Sequence, residues 1–271
     1  MEGMKMVNKT LFAREWKANY KLLLIFLAVL TMYISIIISM FDPKLGRVLE
    51  EFTEAMPEMM SLFGMAGMTM TLVGFLSNYL YGMLLIAFPM VFLILLSLRL
   101  VVKYVDQGAM SYLLSSQTSR ACLIRTQVTV LVTNIFVLDG YCVLLGIACS
   151  EWMFPGKLDM PAYLSLNMGM FCLHFFLAGY CFMISCMCNE SRKAALAGAG
   201  IPVLFLLLQM LSNMEGAAEW LRYLTLFSMF QQEKLIEAEA TGYIFAVGLF
   251  AIGAVCLWIG KRSFERRDLP L

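Results

Sequence analysis

The chain has one histidine, His174, in 271 residues, and that scarcity removes several chemistries at once. A paired-histidine metal site and an HExxH helix are excluded. No GxSxG turn presents a nucleophilic serine, and no GxxxxGKS/T loop is present to cradle nucleotide phosphates. Charge is scarce too. Asp, Glu, Lys and Arg make up 14% of the residues, against about 25% in an ordinary soluble domain. Twenty Lys and Arg oppose nineteen Asp and Glu, a net charge of +1, so the basic excess that marks a nucleic-acid-binding surface is missing. The eight cysteines contain no CxxC pair. Cys142, Cys149, Cys172, Cys181, Cys186, Cys188 and Cys256 lie in apolar stretches and Cys122 on a cationic flank. They read as small, polarizable packing residues, not as a disulfide framework.

What is abundant is apolar sequence, at 61% of the chain, where about 45–50% is ordinary. It falls into six blocks, 22–40, 72–98, 128–149, 162–188, 194–211 and 242–260, each long enough to cross a hydrocarbon core of about 30 Å. Lipid-spanning backbone must satisfy its own hydrogen bonds, which leaves helices or closed barrels. Barrel strands alternate apolar and polar residues and these blocks do not, so the expected fold is all-α, a polytopic membrane protein with six transmembrane helices. The first block follows 21 residues and outruns a secretory h-region, so it reads as a retained span. With no internal repeat and no low-complexity linker, residues 1–271 read as a single domain.

Cation placement sets the expected orientation. Fifteen of the twenty Lys and Arg fall on one side: Lys5, Lys9, Arg14, Lys17 and Lys21 before the first block, Arg99, Lys103, Arg120 and Arg125 between the second and third, Arg192 and Lys193 between the fourth and fifth, and Lys261, Arg262, Arg266 and Arg267 after the sixth. Lys44, Arg47, Lys157, Arg222 and Lys234 fall on the other. Cytoplasmic loops carry the Lys/Arg excess, so both termini are expected in the cytoplasm. The opposite side is acidic, with Asp42, Glu50, Glu51, Glu54 and Glu58 in its first loop and Glu215, Glu219, Glu233, Glu237 and Glu239 in its last.

Three segments outside the blocks carry further signals. In 9–21, Phe12, Trp16 and Tyr20 recur every four residues while Arg14, Lys17 and Lys21 cluster elsewhere, roughly 130° away at about 100° per residue. That pattern suits an interfacial helix with rings toward lipid and cations toward phosphate; the bland alternative is a cationic flank of the first span. Met56, Met59, Met60, Met65, Met68 and Met70 crowd the exterior loop. Thioethers can take Cu(I), but Leu62, Phe63 and Ala66 share the stretch, and a re-entrant or interfacial helix suits them better. In the loop 99–127, Asp106 and Gly108 precede Met110, Leu113, Leu114 and Gln117 at i, i+3, i+4 and i+7. This is an apolar stripe in the cytosol, either a partner surface or a segment folded back on the bundle.

Two ionisable residues sit within spans, where their cost makes them functional suspects. Asp139 lies 12 residues past Gln127, and His174 lies 12 past Ala162; each is about 18 Å deep at 1.5 Å per residue. The third and fourth spans form a hairpin, so the pair is placed to meet, as a structural hydrogen bond or as a proton or substrate site. Pro89 and Pro202 lie inside the second and fifth spans, where kinks expose backbone groups to neighbours.

With these segments in view, the chain resembles the permease subunits of ATP-binding-cassette transporters of the type-2 export family. The resemblance covers nearly the whole chain: the amphipathic N-terminal segment, six spans, MPEMMSLFGMAG after span one, VDQGAMSYLLSSQTSR after span two, NESRKAALAGAGIP entering span five, LRYLTLFSMF before span six, and a terminal FERRDLPL. Where the family loop reads Leu-Leu-Ser-x-Pro-x-Ser-Arg, Gln117 stands at the proline. The resemblance implies that 104–120 is a coupling segment docking on a separate cytoplasmic ATPase through Asp106, Gly108, Leu113, Leu114, Ser119 and Arg120. It also implies that 9–21 is a connecting helix along the membrane and that a second permease chain, the same or related, pairs with this one. The chain itself would bind no cofactor and hydrolyse nothing, ATP and Mg being held by the partner, with the assembly in the plasma membrane. The residues alone also leave open an ion-driven secondary transporter, to which Asp139 and Pro89 lend weight. They leave open, too, an intramembrane enzyme, short of histidine and nucleophile motif, and a signalling or immunity component without transport.

Overall fold

The computed structural model describes residues 7–41, 56, 71–110, 119–213 and 219–266. Six helices in it are long and apolar enough to cross a membrane, and no strand occurs among the described residues. Helix α1 (Lys9–Met40) opens on Asn8, whose Oδ1 accepts from the amides of Thr10 and Leu11. Helix α2 (Leu72–Leu76) passes into a π-helical turn, Ser77–Tyr81; after Gly82 and Met83 the chain resumes as α3 (Leu84–Leu100) and α4 (Val102–Asp106). Helix α5 (Arg120–Met153) opens on Ser119 and α6 (Met160–Met187) on Asp159, each accepting an amide at the helix start. Helix α7 (Ser191–Ser212), two 3-10 turns (Glu219–Leu224 and Leu226–Met229), α8 (Gln232–Ile236) and α9 (Ala240–Arg266) follow.

The helices overrun most of the apolar blocks by a few residues at their ends, and two depart from them in kind. α1 is one unbroken helix of 32 residues, so no break separates 9–21 from the apolar run beginning at Leu22. A polar turn remains helical when its side chains suit helix geometry, and here the helix starts where Asn8 caps it. The block 72–98 is interrupted instead of continuous. Its long apolar helix is Leu84–Asp106, and the preceding turns are a short α-helix and a π-helical turn, a rare geometry that inserts residues and is enriched at functional sites.

The bundle is organised around α6, whose apolar window is 72% buried, the highest share of the six. It touches α3, α5, α7, α8 and most extensively α9. Small residues allow that last contact. A Cβ on Gly179 would strike the Gly253 carbonyl, one on Gly253 would lie 2.8 Å from the Phe176 Cα, and one on Gly260 would lie 2.9 Å from the Met183 Cα. Ala246, Gly253 and Gly260 are all buried and recur every seven residues, so they share one face of α9 and bring the two backbones together. In lipid, where apolar association alone gives no driving force, close backbone packing of this kind holds helices together. α1 packs on the outer side against α5 and α3, with Thr31 Oγ1 2.6 Å from Tyr141 Oη.

Candidate functional site

The structure brings Asp139 and His174 together. Asp139 on α5 and His174 on α6 meet at 2.7 Å between Oδ1 and Nδ1. The histidine is 1% exposed and the aspartate 13%. The other ring nitrogen, Nε2, is 2.8 Å from the backbone carbonyl of Leu85 on α3. That carbonyl is free for a reason written four residues downstream. In a helix it would accept from the amide of residue 89, but residue 89 is Pro89, which has no N–H. His174 takes the place of the missing donor.

The second intrahelical proline follows the same rule. Pro202 leaves the Gly198 carbonyl without its helical donor, and Cys181 Sγ donates to it at 3.4 Å. The Tyr180 hydroxyl donates to the neighbouring Ala197 carbonyl at 2.9 Å. His174 and Cys181 are seven residues apart, two turns on one face of α6. One helix therefore supplies the caps for both proline interruptions.

Hydrogen inventory constrains the His174 site further. A carbonyl only accepts, so Nε2 must carry a hydrogen, and the proton between Nδ1 and Oδ1 belongs to one partner or the other. The pair is an imidazolium with a carboxylate, or a neutral imidazole with a carboxylic acid. Both forms have zero net charge, which is what a buried site in lipid tolerates. Asp139 Oδ2 is buried and has no protein hydrogen-bond partner among the described residues. The arrangement can hold a proton and fix a backbone kink. No group of three or more His, Cys, Asp and Glu among the described residues is placed to hold a metal ion.

Just before Leu85 in span two, a polar chain closes the π-helical turn. Ser77 Oγ donates to Gln232 Oε1 at 2.6 Å, and Gln232 Nε2 donates to the Tyr81 carbonyl at 3.1 Å. Tyr81 Oη donates to Asn167 Oδ1, and Asn167 Nδ2 to the Tyr163 carbonyl, both at 2.8 Å. Nothing in the hydropathy pattern of 72–98 marks this network; the only local sign is Ser77–Asn78 followed by Gly82.

The N-terminal segment presents a different face from the one its rings suggest. Leu11, Glu15, Asn19 and Leu22 are the buried positions. Phe12 and Trp16, stacked at 6.3 Å between centroids, are half-buried against the core, whereas Arg14, Lys17, Tyr20 and Lys21 are exposed. The Tyr104 hydroxyl of α4 donates to Glu15 Oε1 at 2.8 Å, and the Asn8 amide donates to Thr126 Oγ1 of α5 at 3.0 Å. Glu15 lies outside the apolar run 22–40. Burial pushes its carboxyl above the ordinary carboxylate range, and the Tyr104 hydroxyl and the Arg14 charge pull it part of the way back. The i, i+4, i+8 spacing of Leu11, Glu15 and Asn19 is the signal that could have found this stripe.

Of the candidates in 104–120, Asp106 and Gly108 are exposed, Ser119 is exposed and caps α5, and Arg120 begins that helix, half-buried. Met110 is 1% exposed, so its side chain packs on the bundle and is not part of a solvent-facing stripe. The turn at Gly108, with a φ of +65°, redirects the chain just before it. Leu113, Leu114 and Gln117 lie outside the described residues, as do Met59, Met60, Met65, Met68 and Met70; Met56 is exposed. Compared with known proteins, the chain matches no family model and no curated protein.

Proposed function

We propose that the chain is the membrane-spanning permease subunit of an ABC transporter of the type-2 export family, driven by ATP hydrolysis on a separate cytoplasmic ATPase. Two such permease chains pair, the same or related, both termini face the cytoplasm, and the assembly sits in the plasma membrane. The observation that carries the reading is segment 104–120, VDQGAMSYLLSSQTSR and its lead-in, placed between two apolar helices on the cation-rich side. Support comes from what flanks it. The segment leaves α4 beside Tyr104, which is bonded to Glu15 of α1, and re-enters through Ser119 at the cap of α5. A displacement of the segment therefore pulls on α1 and α5 as well as on span two. The energy comes from ATP, which favours one of two states of the partner pair and thereby biases the spans.

The test is copurification with an ATPase. Tagged chain extracted from its native membrane should bring down a polypeptide carrying GxxxxGKS/T, and Leu113→Asp or Leu114→Asp should reduce that association while leaving the chain inserted. An isolated chain that exports without any ATPase would instead support an ion-driven secondary transporter, the second reading that the interrupted span two and the Asp139–His174 pair favour.

A further inference from the structure

The His174 site holds a hydrogen whose loss has a mechanical consequence. Pro89 leaves the Leu85 carbonyl with no helical donor, and His174 Nε2–H supplies one. With that hydrogen assigned, the 2.7 Å contact between Nδ1 and Asp139 Oδ1 is attractive only while one more proton lies between them. Without it, a nitrogen lone pair faces a carboxylate oxygen, and the two must separate. We propose that this single shared proton is a latch: it keeps His174 seated on the Leu85 carbonyl, fixing the interrupted start of α3 to α5 and α6, and its removal frees that start.

The latch belongs to this chain alone and does not rest on the transport reading. Its electrostatic surroundings are sparse. Asp139 acts on His174, and Asp139 also acts on Cys142, one turn along α5. Among the described residues, no Asp, Glu, Lys or Arg of α3, α7, α8 or α9 bonds to either member. The segment that the latch holds begins at an irregular point in the chain. It follows the turn at Gly82 and Met83, and the amides of Ile86 and Ala87 both reach back to the one Met83 carbonyl.

A single histidine makes the test clean. The full-length chain, labelled with 15N-histidine and held in lipid nanodiscs, yields one pair of ring-nitrogen resonances. The expected spectrum shows Nε2 protonated throughout, with Nδ1 sharing a proton that is lost only as pH rises. In parallel, hydrogen exchange across 84–88 should step up over the same pH interval beyond its intrinsic base dependence. The step should be about three- to eighteenfold, the range that intramembrane hydrogen bonds imply. Asp139→Asn gives Nδ1 an amide donor, so it should hold the latch closed with slow exchange and no pH step. His174→Phe should exchange fast at every pH. A neutral ring with its hydrogen on Nδ1 would overturn the latch, as would a pH step in Asp139→Asn equal to that of wild type. That second comparison stands even if His174→Phe fails to fold.

Discussion

Replacing Pro89 with alanine should make His174 less necessary, and the size of that rescue follows from the hydrogen bonds. In the native chain His174→Phe leaves two groups without their partner, the Leu85 carbonyl and the Asp139 carboxyl. Pro89→Ala restores an amide at the position from which a helix satisfies residue 85. In that background His174→Phe orphans Asp139 only. The aspartate penalty is common to both backgrounds and cancels in a double-mutant cycle, which isolates the carbonyl. Hydrogen bonds in bilayers average about 0.6 kcal/mol with a maximum near 1.7. The Leu85 carbonyl faces a fully buried donor, so the upper half applies, about 1–1.5 kcal/mol. The assay is reversible unfolding in mixed micelles for wild type, both single variants and the double variant. His174→Phe should cost about 1 kcal/mol less in the Pro89→Ala background than in the native one. Additive losses would mean that the Leu85 carbonyl is satisfied in some other way and that His174 is not its cap.

A second cycle on Asp139→Leu and His174→Phe should show positive coupling, since either survivor is left unpaired in lipid; additivity in thermal unfolding would show that the two do not interact. Gly253→Val should destabilise the chain by about 1–3 kcal/mol, because the new side chain meets backbone of α6 at Phe176 that no rotamer change can move; unchanged melting would mean that α6 and α9 are further apart. Glu15 carries a pH effect of definite sign. Its folded-state value is raised from 4.5, so the folded chain holds the proton more tightly than the unfolded one. Stability should therefore fall as pH rises from about 4.5 through that raised value, and Glu15→Gln should flatten the slope, as measured by unfolding between pH 4 and 7. A reporter fused after Leu271 should be active in the cytoplasm and one inserted at Glu54 outside it; the reverse pattern would invert every loop.

The span count is legible in the sequence because a long apolar block carries its signal in every residue, and the depth of Asp139 and His174 follows from rise per residue. The acceptor of His174 Nε2 is legible in principle, since Pro89 names Leu85 by subtraction of four, but proline position alone does not say which neighbour arrives. The π-helical turn at Ser77–Tyr81 is hidden, because hydropathy averaged over a window is blind to one turn of altered winding among Leu, Tyr and Phe. The face of α1 is legible in part. Aromatic spacing groups Phe12 and Trp16, while the buried stripe takes Glu15, bonded to Tyr104, and Asn19. Met110 follows the left-handed turn at Gly108 and is buried, and spacing within 110–117 does not name the neighbour that covers it.

Under the proposed function, this chain is moved by ATP hydrolysed on another. The most direct measurement is the ATPase activity of the complex purified through a tag on this chain, in lipid, with wild type beside Leu113→Asp. The account predicts hydrolysis by a copurified chain carrying GxxxxGKS/T, and loss of both that chain and the activity in the variant. Wild-type complex that exports its substrate in vesicles with no such chain and no hydrolysis would contradict it.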